Sequence, residues 1–234
     1  SQVISSEDPH IKKQWLHWAL LTILTSLNAH AKCVEGDCEN GKGTYTYPDG
    51  VVYEGDFVNG VRTGKGKSTW ANGNIYEGDW LNSLWTGKGK RTWANGDVYE
   101  GDWLNGEKTG TGKQTWANGN IYEGEWVNGE MTGNGKQTDT DGIVYEGNFV
   151  DGYWTGKGKV TWANGNVYEG DWLNSLWTGK GKRTWANGDV YEGDWLNGEK
   201  TGNGKGKITY PDDSVYEGNF VDGIVYEGNF VDGD

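Results

Sequence analysis

From Gly41 onward, apolar and polar positions alternate in short runs punctuated by glycine-containing turns. In Val98–Trp103, Tyr99 and Trp103 alternate with Glu100 and Asp102, and Gly101 sits between the two rings. A period of two predicts a strand with the rings on one face and the carboxylates on the other. Gly112–Trp116 predicts a second strand, with Gly112, Gln114 and Trp116 on one face and Lys113 and Thr115 on the other. Asn118-Gly119 follows and predicts the tight hairpin turn into the next strand. Leu104–Thr111, which contains Asn105-Gly106 and Gly110, reads as a longer connection.

This phrase recurs. Tyr-Glu-Gly begins at Tyr53, Tyr76, Tyr99, Tyr122, Tyr145, Tyr168 and Tyr191, always 23 residues apart, then at Tyr216 and Tyr226. Residues 69–110 and 161–202 are identical except for Ile75 against Val167. Tandem copies of a two-stranded unit predict an all-β fold: an elongated, single-layer, twisted antiparallel sheet of β-hairpins laid side by side. The array is expected over residues 32–234, as about eight units with the last one incomplete. At two strands per unit it advances about 10 Å per repeat, so the ribbon is about 80 Å long.

Residues 1–31 stand outside the pattern. Lys12 and Lys13 precede the apolar run Trp15–Leu27, which ends in Asn28-Ala29-His30-Ala31. A basic stub, a short apolar core and an A-x-A ending predict a helical signal peptide cleaved after Ala31. The other reading is a helix capping one end of the array, since terminal repeats need covering. The first reading places the protein in the periplasm, cell envelope or medium; the second leaves it cytoplasmic. Cys33 and Cys38 are the only cysteines, and in an exported chain they are expected to form a local disulfide.

Composition narrows the chemistry. Glycine (41), tryptophan (15) and tyrosine (13) dominate, so the core must be built from rings packed over glycines. The net charge of −13 argues against nucleic acid. All three histidines lie in the first 31 residues, which leaves the repeats without the usual acid–base and zinc-ligating group. No catalytic constellation, metal-ligand cluster or cofactor fingerprint is evident, so a non-enzymatic protein is expected.

Tyr99-Glu100-Gly101-Asp102-Trp103, Asn105-Gly106, Gly110 and Gly112 resemble the membrane occupation and recognition nexus (MORN) repeat position by position. The opening Cys33-Val-Glu-Gly-Asp-Cys38 with Glu-Asn-Gly-Lys-Gly-Thr-Tyr45 is similar to the first repeat of exported bacterial MORN proteins. The resemblance implies a hairpin array that serves as a scaffold, interaction surface or dimerisation device. Phospholipid binding has been proposed for such repeats.

Residues fixed in every unit read as architecture. The aromatic rows could stack on sugars or lipids, but a single-layer sheet needs them as its core. The recurring glutamates, such as Glu100, read as cross-strand partners of lysine or arginine. The variable positions are the pairs Val61-Arg62, Leu84-Trp85, Glu107-Lys108, Glu130-Met131, Tyr153-Trp154, Leu176-Trp177 and Glu199-Lys200. From these, Leu84, Trp85, Met131, Tyr153, Trp154, Leu176 and Trp177 are the candidate partner-binding residues, since exposed aromatic anchors on a rigid support make recognition patches. The alternative is that each Trp folds back over its own hairpin. The expected partner is another protein, or a second copy joined through the sheet edges. A phospholipid or glycan held by the aromatic rows is the alternative.

Overall fold

The computed structural model describes residues 31–201, 204–221 and 224–233. Apart from Ala31, the leader or cap expected over residues 1–31 lies outside the described residues. Among the described residues there are nineteen strands and no helix, from Lys32–Gly36 to Ile224–Val231. Chain neighbours pair antiparallel throughout, giving one open sheet of consecutive hairpins. Glu199–Lys200 and Gly204–Thr209 both pair with Val190–Leu196, as two pieces of one strand position.

The structure reverses the two expected turns. Asn105-Gly106 is the two-residue turn, flanked by the directly opposed Leu104 and Glu107. Both turn residues are left-handed, with φ of 51° and 88°. That is the type I′ geometry, which matches the twist of the paired strands. The second strand therefore starts at Glu107 and runs to Thr115. At the other end, Gly119 N–H donates to Trp116 O (2.8 Å), and Trp116 N–H to Asn120 O (2.9 Å). Of Asn118-Gly119 only the glycine has a positive φ, so this is a wider turn.

The stretch that reads as a longer connection is strand with a bulge in it. Opposed pairing runs Trp103–Lys108 and Asp102–Thr109, then resumes at Gly101–Gly112. Gly110 and Thr111 are the bulged residues, and Gly110 has φ of 54°. Bulging frees a backbone N–H that needs a partner. Asp102 supplies it: Thr111 N–H donates to the Asp102 carboxylate at 2.8 Å. Lys88 and Lys180 donate in the same way to Asp79 and Asp171, each at 3.0 Å. The acid after Tyr-Glu-Gly thus closes the bulge.

The core is the aromatic face. Tyr99 is fully buried and Trp103 nearly so. The Tyr99 ring lies across the facing Gly101–Gly112 pair, and a Cβ on Gly112 would overlap its hydroxyl. Each ring meets the next edge-on. Tyr99 lies 5.0 Å from Trp103 and 5.2 Å from Trp126, with planes near perpendicular. Such contacts contribute about 0.5–1.5 kcal/mol each beyond burial. In this unit the buried polar edges of both rings are satisfied: Trp103 Nε1 donates to Gly89 O at 3.0 Å, and Tyr99 Oη to Asp102 O at 3.2 Å.

Candidate functional site

The seven candidate residues fall on both faces of the sheet. Trp85, Trp154 and Trp177 lie on the aromatic face, stacked flat on the tyrosine of their own hairpin. Centroids are 4.5 Å apart for Tyr76–Trp85, 4.2 Å for Tyr145–Trp154 and 4.3 Å for Tyr168–Trp177. Met131 is half-buried against the same core. Other units fill this position with a cation. Arg62, Lys108 and Lys200 place their charged groups 5.7, 4.9 and 4.5 Å from the rings of Tyr53, Tyr99 and Tyr191. In six of the seven variable pairs the second residue is therefore a cap over a core tyrosine. Burial pushes the Lys108 ammonium down to about 8, and its Nζ donates to Gln114 Oε1 at 2.6 Å.

Leu84, Tyr153 and Leu176 point the other way. They are 47%, 58% and 47% exposed, and they share the face of the carboxylates. They have companions that the sequence reading missed. Val58, Leu81, Leu104, Val127, Val150, Leu173 and Leu196, each just before a tight turn, are exposed on the same side. Leu81 opposes Leu84, Val150 opposes Tyr153 and Leu173 opposes Leu176. A row of apolar side chains thus follows one rim, stepping about 10 Å per unit. Strand alternation carried the signal: the residue after Trp103 must face the side of Glu100 and Asp102.

Between the rims the exposed face is charged. Lys65–Asp79, Lys88–Asp102, Lys157–Asp171 and Lys180–Asp194 are paired at 2.6–2.7 Å. Lys113–Glu123, Lys136–Glu146 and Lys182–Glu192 form a second row at 2.5–3.0 Å. The Lys157 ammonium, with the Lys180 N–H, outweighs burial and holds the Asp171 carboxyl below its ordinary range. A glycine-floored groove runs along this face, about 1350 Å³ from Glu35 to Gly112 and about 730 Å³ from Glu146 to Gly193. In the two successive units where the stretches are interrupted, Thr111 and Asn134 stand where Lys65, Lys88, Lys157 and Lys180 stand in other units.

The first strand carries the two cysteines' loop. Cys33 and Cys38 are joined as a disulfide, with Cα atoms 5.9 Å apart. Among the described residues no group of three or more acidic, histidine or cysteine side chains is placed to hold a metal ion.

Eight consecutive matches to the MORN-repeat model, from residues 39–52 through 191–215, cover most of the chain. This chain belongs to the MORN-repeat family. Comparison with curated proteins gives no match. Among solved structures it is similar to the SAS-4 (dCPAP) TCP domain of Drosophila melanogaster, solved in complex with a proline-rich motif of Ana2 (dSTIL). That likeness has 15% identity and a TM-score of 0.42, over 66% of this chain and 83% of that one. It is also similar to the TCP10 domain of Danio rerio CPAP in complex with a peptide of STIL. There the values are 13% identity and a TM-score of 0.27, over 86% and 96% of the two chains.

Proposed function

We propose that this chain is a non-enzymatic scaffold that binds a protein partner along the apolar rim. The observation that carries this reading is the row on the exposed face, with Leu81–Leu84, Val150–Tyr153 and Leu173–Leu176 as opposed pairs beside tight turns. Scattered apolar side chains on a surface are ordinary, but a regular row on a rigid sheet is a contact surface. The two rings of each Tyr-Glu-Gly strand, such as Tyr99 and Trp103, are buried and offer no stacking surface to a sugar or lipid headgroup. Association with a second copy through the sheet edges belongs to the same reading. So does export, supported by the basic-apolar-A-x-A order of residues 12–31 and by the cysteine pair. Sequencing the mature N-terminus tests export, with Lys32 as the expected first residue.

The rim is tested by capture from an extract of the protein's own cell envelope, with light scattering to register self-association. Wild type is expected to retain a discrete protein or a second copy. The variant Leu84→Lys/Tyr153→Lys/Leu176→Lys is expected to lose it with an unchanged melting temperature. A wild-type chain that stays monomeric and retains nothing contradicts the reading.

A further inference from the structure

A cavity of about 280 Å³ opens on the aromatic face between Trp154 and Trp177. Its walls include Ile143, Trp154, Val160, Trp162, Trp172 and Trp177, and the rim residue Leu176 also lines it. The volume is near the lower end for ligand sites. The two other units with a tryptophan cap carry an arginine at the position of Val160. The Arg91 guanidinium lies 4.5 Å from Trp85, 4.9 Å from Trp93 and 5.6 Å from Trp70. Arg183 repeats the arrangement at 4.9 Å from Trp177, 5.1 Å from Trp185 and 5.5 Å from Trp162. Tyrosine, tryptophan and arginine thus form a three-layer stack twice.

Val160 stands at the arginine position of the third such unit, 23 residues before Arg183. Trp154 has Tyr145 under one face, and among the described residues no chain cation lies over it. A second change accompanies the first. Asp139 occupies the position held by Trp70 and Trp162 in the sister stacks. It is tied to Trp154 through Gln137: Gln137 Nε2 donates to Asp139 Oδ1 at 3.0 Å, and Trp154 Nε1 to Gln137 Oε1 at 3.3 Å. The unit has lost its own guanidinium and kept two of the indoles that receive one, and at the position of the third indole it has a carboxylate joined to Trp154 through Gln137. Arginine is favoured over an aromatic face and pairs with carboxylates.

We propose that this cavity is a guanidinium site, which takes an arginine side chain of a partner polypeptide and completes on Trp154 the stack that Arg91 completes on Trp85. The source of the arginine rests on the protein-partner reading above. The net charge of −13 favours such a basic contact.

The test is a titration of N-acetyl-arginine methylamide against its neutral isostere, the citrulline derivative, followed by the indole N–H resonances of Trp154 and Trp162. Arginine is expected to give a saturable shift, at least tenfold weaker for citrulline. Val160→Arg, which supplies the guanidinium from the chain, is expected to abolish the shift at an equal or higher melting temperature. Asp139→Asn is expected to weaken binding several-fold. Equal response to citrulline, no saturable response to arginine, or full binding by a folded Val160→Arg chain overturns the site. Partner capture without arginine binding overturns this site and leaves the rim reading standing. Arginine binding in a chain that captures no protein overturns the polypeptide source.

Discussion

Trp85 and Trp154 occupy the same place in the repeat, yet their stacks end differently. Both lie flat on the tyrosine of their hairpin, at 4.5 and 4.2 Å. Trp85 is then covered by Arg91, whereas Val160 stands at the corresponding position beyond Trp154. The shared part of the two stacks is fixed by backbone features that every full unit repeats: the glycine pair beneath the tyrosine, the bulge and the type I′ turn. The part that differs lies six residues further along the same strand. The repeat therefore separates what folds the chain from what its surface offers.

Removing the shared base of the stack should have the largest effect. Tyr76→Ala takes away the ring beneath Trp85 and should cost about 3–5 kcal/mol, as large-to-small core changes do. Leu81→Lys, on the same strand but the exposed face, should stay within about 0.5 kcal/mol. Urea unfolding of the two variants measures the contrast, and equal losses would deny the division between faces.

The tyrosine rows also set an alkaline limit. Burial pushes Tyr53, Tyr122 and Tyr191 up to about 12, and it raises Tyr76, Tyr99, Tyr145 and Tyr168 as well. In the unfolded chain these groups lose their protons near pH 10 while the folded rings keep theirs, so stability falls as pH rises above about 10. Lys108 works in the opposite sense and on a smaller scale. Its folded form loses a proton near 8 while the unfolded form holds it to about 10.4, so its contribution rises across that window. Melting temperatures of wild type and Lys108→Met between pH 7 and 11 test both directions. Wild type should gain on the variant from pH 8 to 10, and both should fail above it.

The smallest effect belongs to the charged face. Lys88→Ala breaks an exposed pair with Asp102 and should cost less than about 1 kcal/mol, a difference that added salt erases.

Much of this architecture is legible in the residues. The alternation of Tyr99, Gly101 and Trp103 with Glu100 and Asp102 gives the strand and its faces, and the fixed period gives the array. The turns are not legible from Asn-Gly alone, because each unit of this type has two such pairs and only φ distinguishes them. Asn105 and Gly106 are both left-handed, while at Asn118-Gly119 only the glycine is. Asn82-Ser83 forms the same tight turn with no glycine at all, at φ of 51° and 65°. The cap position was hidden for a related reason. Lys108 opposes Trp103 because a bulge at Gly110 and Thr111 shifts the register, and a strict period of two does not show that shift. The cavity beside Trp154 depends on which rings meet across three strands, and no local pattern reports it.

The most direct measurement exchanges the two ends of the compared stacks. In the double variant Arg91→Val/Val160→Arg, the blocked-arginine response is expected to leave Trp154 and Trp162 and to emerge at the indole N–H resonances of Trp85 and Trp93, in a chain with an unchanged fold. A response that stays at Trp162, or that disappears without emerging at Trp85, would show that the residue beyond the cap does not decide which indole face is open.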